Sequence, residues 1–430
     1  MRSPLRLVGS VFAVLLIILV IALAAGWWLG TRPAEPVAAS TQDFDHPALI
    51  ERGAYLARLG NCAACHTTAG GEPFSGGRAI PTPFGTLYGS NITPDRDTGI
   101  GAWSADDFWR ALHDGRGPDG SLLYPAFPYT SYTRLSREDT DALYAFLRSQ
   151  PAVSQPDRPH ELRFPYDQRF LLAFWRALNF RAATPSPPSP PEGPDATLWQ
   201  RGAYLTEGLG HCAECHTPRN RFGGLRGDAP FAGTLMPIGD WYAPALTPVR
   251  GGLQGWSVAD IATLLRAGTT PHGGAAGPMA EVVFDSSQYL TPQDAEAIAT
   301  YLVNLEAPAH PEPSPVENVF GQLGAQRYEQ HCASCHGEQG QGKGPGWPPL
   351  AGNLTAQLPD PVNAIRVILD GGFAPGTALN PQPYGMPPFR HRLSDTDVAA
   401  ILSHVRQSWG NVAPAVSPND VRKARRHAAH

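Results

Sequence analysis

Cys62-Ala63-Ala64-Cys65-His66 is the stretch on which the reading of this chain turns. It recurs as Cys212-Ala213-Glu214-Cys215-His216 and as Cys332-Ala333-Ser334-Cys335-His336, and the three copies use all six cysteines. In each copy two thiols can add across the vinyl groups of one haem, and the adjacent histidine then becomes the proximal iron ligand. A zinc site needs three or four ligands, and no further Cys pair remains to complete one. A thioredoxin-type redox pair sits in a βαβ pattern, which the surrounding Gly- and Pro-rich sequence does not show. The expectation is three covalently bound haem c groups. Cys62 and Cys65, Cys212 and Cys215, and Cys332 and Cys335 attach them, and His66, His216 and His336 ligate iron.

The N-terminus supplies the second constraint. Arg2 and Arg6 precede an uncharged run, residues 7–31, closed by Trp27 and Trp28. The apolar core of a signal peptide is usually ~7–15 residues, whereas a bilayer span needs ~20. Length, the aromatic pair and the arginines favour an uncleaved anchor with the bulk of the chain outside. The rival reading is a cleaved signal, because Ala22-Leu23-Ala24 resembles a small-residue cleavage site. Either way the chain is exported, and the anchored reading places it on the inner membrane with its haem domains facing the periplasm.

Only 17% of residues are charged, the net charge is −5, and Gly and Pro number 45 each, so a loop-rich body with short helices is expected. There is no basic face for nucleic acid. The cluster Arg422, Lys423, Arg425, Arg426 reads most simply as a solvated tail, with contact to phosphates or an acidic partner as the alternative.

The sequence repeats around its three motifs. Glu51-Arg52-Gly53-Ala54-Tyr55-Leu56 and Gln200-Arg201-Gly202-Ala203-Tyr204-Leu205 are near-copies, and Gly324-Ala325-Gln326-Arg327-Tyr328 is a looser one. Each predicts a short helix delivering its Cys pair. Ser104 with Asp107, and Ser257 with Asp260, predict capped helices in the first two repeats. Ser136, Thr291 and Ser394, each with Asp three residues on, predict the terminal helix of each repeat.

The expected fold is therefore all-α, with three tandem haem domains behind an N-terminal membrane anchor. Anchor and linker occupy residues 1–40, the first domain 41–150, and an interdomain segment with a Pro-rich linker 151–195. The second domain spans 196–307, a linker 308–317, the third domain 318–412 and a basic tail 413–430. Two Pro-rich seams, residues 184–194 and 308–315, read as stiff spacers. Residues 170–180, with Leu171, Leu172, Phe174, Trp175 and Leu178, read as an interdomain packing helix, with a lipid-facing or partner-docking helix as the alternative.

An electron-transfer haem usually binds iron on both faces, commonly through His and Met. Met279 lies 63 residues past His216 and Met386 lies 50 past His336, both in the loop where a second axial ligand belongs. They are the expected distal ligands, and Met236 is expected to be packing. The first repeat has no methionine. The matching position falls on Phe127, in Tyr124-Pro125-Ala126-Phe127-Pro128-Tyr129, and phenylalanine cannot ligate iron. An open or water-bound iron leads there; His113, expected on a helix surface, and Tyr124 or Tyr129 are the alternatives.

These residues resemble the membrane-bound three-haem cytochrome c subunits of bacterial alcohol, gluconate and related sugar-acid dehydrogenases. The marks are residues 81–88, Asn91-Ile92-Thr93-Pro94-Asp95, Thr98-Gly99-Ile100-Gly101, residues 124–132, Trp241-Tyr242-Ala243-Pro244 and Ala276-Gly277-Pro278-Met279. In that family the loop around Phe127 normally carries methionine, so the chain departs from it at a ligand. The resemblance implies small all-α cytochrome c domains. It also implies electron transfer from a quinoprotein or flavoprotein dehydrogenase, acting on CH–OH groups of alcohols, sugars or sugar acids, towards ubiquinone or a terminal oxidase. No separate catalytic constellation is apparent, so the chain reads as an electron-transfer subunit of an oxidoreductase complex. The alternative makes haem one a peroxidase-like or ligand-sensing site.

Overall fold

The computed structural model describes residues 4–32, 39–183, 189–237, 240–306, 320–344 and 346–427. Its recurring element is a pair of helices that cross so closely that only glycine fits. The leading helices are Pro47–Leu59, Ala196–Ala203 (running on into a π-helical turn, Tyr204–Leu209) and Leu323–His331. The terminal helices are Arg137–Arg148, Pro292–Val303 and Asp395–Gln407. A Cβ on Gly53 would lie 1.9 Å from the Ala142 carbonyl oxygen, one on Gly202 1.9 Å from that of Ala297, and one on Gly324 2.4 Å from that of Ala400. The Arg-Gly and Gly-Ala repeats of the sequence are thus crossing points.

The capping predicted from sequence is present. Ser136, Thr291 and Ser394 each accept from the backbone N–H of the Asp three residues on. Ser104 with Asp107, and Ser257 with Asp260, form full capping boxes that start helices Ala105–Asp114 and Val258–Ala267. Both of these helices end at a left-handed glycine, Gly115 or Gly268.

The chain divides into two compact units rather than three: Met1–Gly53, His66–Pro185 and Arg219–Gly224 form one, and Ala54–Cys65, Ser186–Pro218 and Leu225–His430 the other. The second and third repeats share a unit because side chains lock one to the other. Asn363 accepts from the Tyr242 N–H at 2.7 Å and donates to its carbonyl at 2.8 Å, and Arg366 lies over the Trp241 ring.

Several sequence expectations need correction. The fold is helix-rich but not purely α: β1 (Ala79–Thr82), β2 (Gly85–Tyr88) and β3 (Glu161–Leu162) form a three-stranded antiparallel sheet. The stretch expected to be an interdomain segment from residue 151 is integral to the first repeat. β3 pairs with β2, and Val153 and Asp157 bond to Asn91. The C-terminal basic cluster is not simply a solvated tail: Pro418–His427 is a helix, with Val421 and Ala424 in the third repeat's core and Arg425 paired to Asp395 at 2.8 Å. The 308–315 seam and residues 184–188 of the first seam lie outside the described residues.

Pro4–Thr31 is one continuous helix, and its 22 residues from Ser10 to Thr31 are long and apolar enough to cross a membrane. At ~1.5 Å per residue that is about 33 Å, against ~30 Å of hydrocarbon. Its C-terminal end is docked. Helix Leu171–Asn179 packs against it so closely that a Cβ on Gly30 would sit 1.7 Å from the Ala173 carbonyl oxygen. Arg176, 3% exposed, donates to the Gly30 carbonyl at 3.0 Å and to Asp114 at 2.7 Å. Helix Leu171–Asn179 is therefore a packing helix as expected, but its partner is the N-terminal helix.

Candidate functional site

Each leading helix ends a few residues before its Cys pair, and the pair sits in or beside a short helical turn: Cys62–His66, Ala213–His216 and Ala333–His336. The first cysteine of every pair is half-buried and the second exposed, and none of the six is in a disulfide. Burial, reinforced by the neighbouring thiol, pushes Cys62, Cys212 and Cys332 up to about 12. That direction is opposite to the depressed thiolates of redox-active pairs.

The three histidines are held alike. His66 Nδ1 lies 2.7 Å from the Ser90 carbonyl oxygen, His216 Nδ1 2.7 Å from that of Pro244, and His336 Nδ1 2.9 Å from that of Pro348. A carbonyl only accepts, so Nδ1 carries the proton and the Nε2 lone pair is left for a metal. Desolvation lowers all three imidazoles below the ordinary histidine value, with the carbonyl bond opposing it, which favours the neutral ligating form. The sequence reading named the histidines but missed these acceptors. Pro244 stood in a noted motif, yet no spacing rule links it to His216.

Met386 and Cys332 both pack against the core of the third repeat. Met386 sits in a two-residue strand, Gly385–Met386, paired with Gly372–Phe373. Met279 is half-buried in the first turn of helix Pro278–Asp285. Gly277, the preceding cap, has φ 55° and presses on the Trp241 ring, so the loop is tightly placed. Met236 is also half-buried, in the loop after strand Thr234–Leu235.

In the first repeat Phe127 packs edge-on to Tyr132 at 5.5 Å. Tyr129 is 0% exposed, lodged against Phe180 and beneath Arg176, while the Tyr124 hydroxyl donates to the Tyr166 carbonyl at 3.2 Å. His113 is not the surface residue its helical place suggests: it is half-buried and stacked on Trp109 at 4.4 Å. Its Nδ1 is buried with no hydrogen-bond partner among the described residues, and so is Arg266 Nε. These two residues occupy the same place in their helices, each two before the left-handed cap glycine. A buried polar nitrogen without a partner at the same place in two repeats fits a polar group of a bound cofactor, such as a haem propionate. With three Cys pairs in no disulfide and three histidines whose Nε2 lone pair is left for a metal, the residues present fit haem.

The segment Ala54–Cys65 packs on the second repeat within one compact unit. Tyr55 Oη donates to Asp294 at 2.6 Å, Ser286 Oγ to the Leu59 carbonyl at 3.0 Å, and Arg58 lies 4.3 Å over the Tyr289 ring. A Cβ on Gly60, two residues before Cys62, would meet Leu209, three residues before Cys212, at 3.2 Å. The approaches to Cys62 and Cys212 are thereby brought together.

The cytochrome c family model matches residues 50–151 and 321–409, around the first and third motifs. The chain is 39% identical to the cytochrome c subunit of the quinone-type alcohol dehydrogenase of Gluconobacter oxydans, over 90% of this chain and 84% of that one. It is 39% identical to the gluconate 2-dehydrogenase cytochrome c subunit of Pantoea cypripedii, over 90% and 92%. It is 36% identical to the fructose dehydrogenase cytochrome subunit of Gluconobacter japonicus, over 94% and 87%. This chain belongs to the family of dehydrogenase cytochrome c subunits. Membership implies covalently bound haem c and a role in electron transfer within a dehydrogenase complex.

Proposed function

We propose that this cytochrome c subunit carries three haem c groups as an electron relay. Cys62 and Cys65, Cys212 and Cys215, and Cys332 and Cys335 attach them, and His66, His216 and His336 serve as proximal ligands. The observation that carries the reading is the shared histidine geometry, with Nδ1 bound to a backbone carbonyl in all three repeats. Haem, when bound, supplies the one-electron chemistry. The protein fixes each imidazole's tautomer and orientation, half-buries the first cysteine of each pair and, at the Gly60–Leu209 contact, brings the chain just before Cys62 against the chain just before Cys212. Met279 and Met386 are the distal ligands of the second and third haems, and a thioether there raises the potential.

The donor is a quinoprotein or flavoprotein dehydrogenase subunit acting on CH–OH groups of alcohols, sugars or sugar acids, and the acceptor is ubiquinone or a terminal oxidase. The names of the relatives support the donor class. Helix Pro4–Thr31 anchors the chain in the inner membrane, with the haem domains in the periplasm. Co-purification in mild detergent tests the partner: a large dehydrogenase subunit is expected, and a chain that purifies alone and is reduced by no such subunit contradicts it.

A second reading concerns haem one, where Phe127 replaces a ligand. Tyr129 is committed to the core and Tyr124 to the Tyr166 carbonyl, which favours an iron with no protein ligand on its distal face. Such a haem binds small ligands and supports peroxidase-like chemistry. Peroxide turnover by the purified protein tests this use of the site, and its absence would leave haem one as a relay.

A further inference from the structure

We infer that an apolar, arginine-rimmed surface around helix Leu171–Asn179 rests in the headgroup region of the bilayer. It gives the first compact unit a second membrane contact beside the N-terminal helix. The inference rests on the reading that Pro4–Thr31 spans the membrane.

Phe164 is 80% exposed, Leu178 72%, Phe170 54%, Phe222 46% and Tyr166 44%, an unusual density of bare apolar side chains for a soluble face. All belong to one unit, which Phe222 joins through the inserted loop Arg219–Gly224. That loop is tied to the helix by the Trp175 Nε1 donating to the Phe222 carbonyl at 2.8 Å, and by Asn220 donating to Asn179 at 2.8 Å.

Position relative to the spanning helix argues that lipid covers this face. The same helix that carries Leu178 is clamped to the outer end of Pro4–Thr31. Gly30 lies under Ala173, Trp27 meets Phe174 at 6.3 Å, and Arg176 holds the Gly30 carbonyl. Trp27 and Trp28 close the apolar run, where tryptophans mark the lipid–water boundary. A helix fixed there lies at headgroup level whichever way the rest of the protein faces. The charges agree: Arg163, Arg169 and Arg181 are exposed, Arg221 lies over Phe222, and Asp167 is the only acid in residues 163–181. Apolar side chains among arginines suit anionic headgroups over acyl chains.

The full-length, haem-loaded protein is reconstituted in phosphatidylethanolamine–phosphatidylglycerol vesicles carrying a phosphatidylcholine with a diazirine at the glycerol end of one acyl chain. After irradiation, labelled residues are mapped by mass spectrometry. Label is expected in residues 164–180 and 219–224 as well as in 10–31. A variant with Phe164→Ser, Phe170→Ser, Leu178→Ser and Phe222→Ser, checked for unchanged haem content, should lose most label from the first two segments and keep it in the third. Label confined to 10–31 overturns the inference while leaving the anchor intact, and label in none of the three overturns the anchor reading itself. Cross-linking of residues 164–180 to a co-purifying subunit, without lipid label, assigns the surface to a protein partner and also overturns it.

Discussion

Arg201 grips Asp294 with two parallel hydrogen bonds, Nε to Oδ1 at 2.8 Å and Nη2 to Oδ2 at 2.9 Å. An Arg–Asp ion pair also ties leading to terminal helix in the other repeats. Arg52 reaches Asp139 at 2.7 Å, and Arg327 reaches Asp397 at 2.8 Å. In each case the acid is also the third residue of a capped helix, so its carboxylate lies near the positive end of a helix dipole. One carboxylate thus completes the start of the terminal helix and pins the helix that delivers the Cys pair.

Acid should weaken this clasp. Burial would raise the Asp294 carboxyl, but hydrogen bonds from Arg201 and Tyr55 and the Arg201 charge outweigh it and leave the group below its ordinary value. A depressed folded pKa gives stability that is fully present above the unfolded value of ~3.9 and lost as pH falls through the folded one. Asp294→Asn should cost about 1.5–3 kcal/mol at pH 7. It should also flatten the pH dependence of thermal unfolding below about pH 4. An unchanged acid limb would remove Asp294 from this role.

Gly202→Ala poses a contest of two effects. Alanine gains ~1 kcal/mol of helix propensity, but its Cβ would fall 1.9 Å from the Ala297 carbonyl oxygen and force the helices apart. Overpacking of this kind costs about 1–3 kcal/mol, and here the obstacle is backbone that cannot rotate away. We expect net destabilisation in thermal melts and reduced haem loading at Cys212. A stabilised variant would mean the crossing is looser than described.

Arg176→Ala tests the docking of the N-terminal helix. The guanidinium is buried and bonds both Asp114 and the Gly30 carbonyl. Removing a buried ion-pair partner costs ~3–5 kcal/mol, and the lower end applies because Arg116 still holds Asp114 at 2.6 Å. Proteolysis between the N-terminal helix and the first repeat should quicken in detergent; wild-type resistance would show that the contact is dispensable.

Phe127→Met should restore the ligand missing from the first repeat. Wild-type protein is expected to show one high-spin ferric haem among three, lower in potential than the others and reactive with CO. The substitution should make that haem low-spin, raise its potential and abolish the CO adduct. A wild-type spectrum that is entirely low-spin would redirect attention to His113.

How much of this was legible in the sequence depended on whether a feature was local. The Cys pairs, the capped helices and the leading helices were readable because each needs only a few neighbouring residues. Gly53, Gly202 and Gly324 were visible as repeats, but not as crossing points, since their partners lie about 76–95 residues on. The strand Glu161–Leu162 was hidden by its brevity and by flanking prolines. The basic C-terminal helix was masked by its charge, because only Val421 and Ala424 on one face reveal that it packs. The role of Arg176 was not legible, because its partners, Gly30 and Asp114, sit far away in sequence.

The intact mass of the denatured, fully matured chain tests the central claim most directly, because thioether-linked haem survives denaturation and non-covalent haem does not. A relay built on three attachment sites predicts a mass increase equal to three haems. That increase should fall to two when both cysteines of any one pair are replaced by alanine. A mature protein carrying two haems or fewer would contradict it.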